Sequence, residues 1–104
     1  MSGEARPHED ERPTLVFFSS RRSGPARRMS SLVAWVRVTE KARLRVVEVD
    51  ADANERLMRA LGVDVVPALV LVRDRAVLGR LEGRVTGREI ESLIRPHVAE
   101  KVRR

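Results

Sequence analysis

Apolar positions in this chain fall into distinct spacings, and each spacing predicts an element. Leu15-Val16-Phe17-Phe18 is continuously apolar, β-branched and aromatic, the pattern of a strand covered on both faces of a sheet. The run breaks off in the polar turn 19–24, and Pro25 then supplies the fixed φ of a first helical position. Behind it Met29, Leu32, Val33 and Val36 recur at i, i+3, i+4 and i+7, one apolar stripe on a helix over about 25–39. Trp35 lies beside that stripe, where it covers the edge of the core or else anchors a partner. Residues 14–29 are therefore strand, loop and helix start, and the rest of the chain is read around them.

Farther on, Leu44, Val46, Val47 and Val49 are interspersed with charged residues over 43–49 and predict a second strand. Asp50, Asp52 and Asn54 supply capping side chains for a short helix over 55–61 that turns Leu57, Met58 and Leu61 inward and stops at Gly62. The run 65–72 contains Pro67 where a strand opens and no ladder N–H is needed. Arg73-Asp74-Arg75 turns into 76–81, an antiparallel partner. Thr86-Gly87-Arg88-Glu89 is a capping box opening a helix with Ile90, Leu93 and Ile94 inward, and Pro96 ends or kinks it. The order is β-α-β-α-β-β-α, which fits an α/β sandwich. Residues 1–13, polar and carrying Pro7 and Pro13, predict a disordered leader, 14–98 one domain, and 99–104 a basic tail.

Composition changes this picture in two ways. There is no cysteine among the 104 residues, which removes disulfides, thiolate catalysis and zinc–sulfur sites together. The only histidines are His8 and His97, so no metal site and no cofactor is expected. The net charge is +6; residues 1–13 hold four acids and two arginines, −2, which leaves +8 for 14–104. That balance favours anionic partners. Lysine occurs only at Lys41 and Lys101, however, and with abundant Val and Ala the arginines also fit the codon usage of a GC-rich, bacterial genome. Both readings stand. No apolar run approaches the ~20 residues of a membrane span, and the polar start is unlike a signal peptide, so a cytoplasmic protein without a membrane partner is expected.

The strand-loop-helix segment with Ser23-Gly24-Pro25-Ala26 resembles the active-site segment of the thioredoxins, in which Cys-Gly-Pro-Cys opens the helix. Val66-Pro67 before a strand, and Gly83 after the hairpin, resemble that family's other landmarks, and the likeness spans about 14–95. It implies a minimal βαβαββα three-layer thioredoxin-like fold lacking the usual N-terminal strand and helix. It also implies a cis Val66–Pro67 bond facing the Ser23–Ala26 turn. Both sulfurs are gone, and Phe17 stands where the family has a buried proton-relaying aspartate. A redox-inactive, non-enzymatic member is implied, with Ser23 capping the helix rather than attacking a substrate.

What remains is a helix start beside Arg21, Arg22, Arg27 and Arg28, the densest positive cluster in the chain. Two functions fit. The domain could hold an acidic or phosphorylated protein segment around Ser23, Pro25, Val66 and Pro67, with main-chain pairing beside the proline. Alternatively its basic face binds nucleic acid, although three aromatic residues make a poor base-stacking platform. A third option is a divergent copy with no surviving ligand.

Overall fold

The computed structural model describes residues 12–98; the leader and tail readings for 1–11 and 99–104 lie outside the described residues. Its elements run β1 (Thr14–Ser19), α1 (Gly24–Thr39), β2 (Arg45–Asp50), α2 (Glu55–Ala60), β3 (Ala68–Arg73), β4 (Ala76–Glu82) and α3 (Gly87–Ile94). One-turn 3₁₀ segments follow β2 and α3. The strands form one sheet in the order β2-β1-β3-β4, with β1 and β2 parallel and the other two pairings antiparallel. Only the first crossover thus joins parallel strands, since the connection through α2 delivers β3 antiparallel to β1.

The continuous apolar run of β1 is explained by what covers it. Leu15 and Phe17 point to one face, into a cluster with Met29, Val33 and Val36 of α1 and Ile90 and Ile94 of α3. Val16 and Phe18 point to the other, with Ala51, Val63, Ala68 and Val70, and with Met58 and Leu61 packed against them. Both faces of the strand are dry, so both parities must be apolar. Burying each phenylalanine contributes roughly 1.5–3 kcal/mol. Helices lie on both sides, giving the three-layer α/β sandwich.

Several local readings shift. Pro13, placed in the leader, is fully buried, and its carbonyl accepts from the Arg45 N–H at 2.9 Å, which joins it to β2. Leu57 is exposed, so α2 turns only Met58 and Leu61 toward the core. Trp35 is 60% exposed and does not cover the core edge. Its position is one step off the Val33–Val36 stripe, and the sheet below is already filled by α1 and α3. Gly62 ends α2 with φ 72°, as its place after the last apolar residue suggests. Gly83 has φ 83° and open space where a Cβ would stand, so the turn requires its left-handed backbone rather than a close approach. Asp74 and Arg75, at φ 53° and 69°, form the two-residue turn between β3 and β4 without the glycine such turns favour.

Candidate functional site

The candidate site lies at the end of the sheet where the parallel strands β1 and β2 finish, the end at which open α/β sheets hold ligands. The chain leaves β1 at Ser19 and turns through Ser20 before α1 begins. Ser20, buried, donates its hydroxyl to Asp52 Oδ2 at 2.8 Å and accepts the Arg22 N–H at 3.1 Å. Ser19 donates to Glu48 Oε2 at 2.9 Å. Asp50 in turn accepts the Asp52 N–H at 2.9 Å. This serine–carboxylate layer fixes the loop from beneath. Nothing in the sequence singles out Ser20, because a small polar residue after a buried strand is common to most loops.

Ser23 is the N-cap of α1, with extended backbone and its Oγ accepting the Ala26 N–H at 3.0 Å. The hydroxyl is thus committed to the helix, as the capping reading requires. Ala26, in the position of the family's second cysteine, is fully buried. Of the first three helical residues Pro25 has no N–H and Ala26 has given its own to Ser23, which leaves Gly24 alone to face a ligand. The helix start thus offers one free main-chain donor, and its other donors are guanidinium groups.

Arg21, Arg22, Arg27 and Arg28 are all exposed, and none makes an ion pair among the described residues. Arg27 donates to the Arg21 carbonyl at 2.6 Å, tying the loop to the first turn of α1. Arg28 folds back toward Gly24, with Nη1 3.4 Å from where a Cβ on that glycine would stand. No acid occupies the first turn of α1. Four like charges therefore crowd a helix end that is itself electropositive.

Val66 and Pro67 belong to the same end of the sheet. Phe18 pairs with Ala68, so one further step of the register sets Pro67 across from Ser19. The Val66–Pro67 bond is cis. Pro67 is buried and its carbonyl accepts the Gly83 N–H at 2.7 Å, whereas the main chain of Val66 bonds to no other described residue. Among the described residues no three His, Asp or Glu side chains are grouped as a metal site. No described helix is long and apolar enough to cross a membrane.

A three-layer sandwich with a capped Ser-Gly-Pro-Ala turn at the end of its central strand, and a proline-opened strand beside it, defines a class. The family model described as Thioredoxin matches residues 5–96, most of the chain, and the protein belongs to the thioredoxin family. Solved structures agree on the fold. A thioredoxin of Fasciola hepatica is 22% identical with a TM-score of 0.77, over 88% of this chain and 86% of that one. A thioredoxin-2 described as a component of malaria parasite protein secretion machinery gives 22% and 0.75, over 83% and 84%. A further structure, titled only as a malarial protein, gives 22% and 0.73, over 83% and 97%. The match to the family model begins ahead of β1 and so takes in part of the polar leader. With no cysteine in the sequence, this member cannot form the mixed disulfide through which thiol–disulfide exchange runs.

Proposed function

We propose that this redox-inactive thioredoxin-family protein is a binding module that holds an acidic or phosphorylated protein segment against its former active-site loop. The observation that carries the reading is the set of four exposed guanidinium groups, Arg21, Arg22, Arg27 and Arg28, with no ion-pair partner among the described residues. Guanidinium groups recognise carboxylate and phosphate bidentately, which gives geometry as well as charge. The N–H and C=O of Val66, at the same end of the sheet, offer main-chain pairing to an extended peptide. Nucleic acid is the weaker reading, because Phe17 and Phe18 are fully buried and Trp35 is the one aromatic surface left for stacking.

The test is a titration of isotope-labelled protein with a peptide carrying two phosphoserines, followed by its amide resonances. Residues 21–28 and Val66 should shift first, and added salt should weaken the effect. The double variant Arg22→Gln/Arg27→Gln should lose the response while keeping the spectrum of a folded domain. An equal response from Arg103 and Arg104 would reduce the effect to general charge screening and overturn the reading. Capture of partners with and without nuclease separates the alternatives, since a protein partner survives the treatment.

A further inference from the structure

The helix α1 carries two stripes, although one is enough to hold it to the sheet. Ala26, Met29, Val33 and Val36 are buried at alternating spacings of three and four residues and form the stripe that meets the core. Arg28, Ser31, Trp35 and Val38 repeat that spacing on the opposite side of the helix, and all four are exposed. Trp35 is 60% and Val38 72% exposed. The two stand one turn apart on the same face, so they form a single apolar patch. Trp35 is the one tryptophan of the chain, and it leaves a large apolar ring in water.

The charge along this outer stripe has one sign. From Gly24 to Thr39 the helix holds Arg27, Arg28 and Arg37 and no acid. Arg28 precedes Trp35 by seven residues, two turns or about 10 Å along the axis. Ser31 and Ala34, small and exposed between them, let a second backbone come close. The stripe is narrow, because Leu32 on its flank packs against the core. A bilayer surface calls for a broad apolar face, whereas a stripe one side chain wide at this spacing is the seam that another helix fills. A second copy of the chain would bring a further net charge of +6 and no acid on its own α1. Complementary charge has to come from a different chain.

We infer that the outer face of α1 docks an acidic amphipathic helix of a partner protein, with its apolar seam on Trp35 and Val38 and its carboxylates, one heptad away, on Arg27 and Arg28. Charge complementarity steers the encounter, and Trp35 is an anchor of the kind that dominates interface energetics. This face shares Arg27 and Arg28 with the former active-site loop but uses neither Val66 nor Pro67. It stands without the reading proposed for the loop.

The single tryptophan makes the test direct, because all indole emission comes from the anchor itself. The probe is a Trp-free synthetic helix of three heptads, with leucine at a and d in two of them and glutamate at a, d and g in the third. Added to the full-length protein, it should shift Trp35 emission to the blue and saturate, and salt at about 1 M, where the screening length is ~3 Å, should weaken it. Val38→Asp should weaken binding at least about tenfold, and Trp35→Ala should do the same when read from the amide shifts of Ser31 and Val38. Trp35→Ala should leave the response of Val66 to the phosphoserine peptide as it was, and a blue shift in a protein that ignores that peptide would support this inference alone. No blue shift would overturn it, as would an equal shift with lysine in place of the glutamates. An equal shift with phosphatidylserine vesicles would overturn it in favour of a membrane surface. A shift produced by raising the protein concentration alone would do so in favour of a second copy.

Discussion

The two long-range helix starts on the same face of the sheet, those of α1 and α3, are built by opposite rules. α3 follows the physics of an isolated helix. Thr86 Oγ1 accepts the Glu89 N–H at 3.1 Å, the Glu89 carboxylate accepts the Thr86 N–H at 2.8 Å, and the acid sits in the electropositive first turn. α1 keeps only the single Ser23 cap, has no acid in its first turn, and carries Arg27 at the end of that turn and Arg28 directly after it, with Arg21 and Arg22 just before the cap. Its far end keeps the usual rule through Arg37 in the last turn. The buried Glu40 caps the electronegative C-terminus and is held by Arg43, whose Nε donates at 2.9 Å and whose Nη2 also bonds the same oxygen. Local rules broken at one helix while kept at its neighbour mark a place where something other than stability shaped the sequence.

If packing rather than capping secures α1, then Phe17→Ala should cost the most, about 3–5 kcal/mol, since Phe17 is fully buried in the cluster with Met29 and Val33. Urea unfolding would read this as a lower midpoint at unchanged slope. A cost below that of losing a cap would show that the contact beneath α1 matters less than its ends. Next in size is Arg43→Met, which leaves the Glu40 carboxylate buried beside a helix C-terminus and should destabilise by about 3 kcal/mol. Restoring neutrality with Glu40→Gln in the same chain should recover part of that loss.

Removing the caps sharpens the contrast at smaller scale. Thr86→Ala breaks a reciprocal box and should cost about 1–2 kcal/mol, whereas Ser23→Ala loses one bond and should cost about 1 or less. The order of the two midpoints is the informative quantity. Equal costs would mean that the Glu89 half of the box contributes nothing.

How far such a contrast is readable beforehand depends on whether its cause is local. Thr86-Gly-Arg-Glu89 announces its helix because both partners of the box lie within one turn. The turn Ser23-Gly24-Pro25-Ala26 is equally local, and its strand, cap and helix stand where the pattern puts them. The continuous run of β1 predicts burial on both faces, though which helix covers which face depends on chain reversals that spacing does not encode. Trp35 and Leu57 stand exposed for a related reason: an apolar residue beside a stripe is buried only if a neighbour covers it. The arrangement that positions the candidate site, Ser20 on Asp52 and Ser19 on Glu48, joins residues about thirty positions apart. Only the parallel pairing of β1 with β2 brings them together.

The smallest stability change carries the central claim. Arg27→Glu/Arg28→Glu places an acid at position 27, in the first turn of α1, where it should stabilise by about 0.3–1 kcal/mol, and it removes half of the guanidinium cluster. The measurement is one sample series read twice, for the urea midpoint and for the amide shifts of residues 21–28 on adding the phosphoserine peptide. The account predicts a protein that is more stable than the starting chain and no longer responds to the peptide. A variant that gains stability yet binds the peptide as before, or loses binding with no gain in midpoint, would contradict the claim that α1 gives up stability at its start to hold an anion.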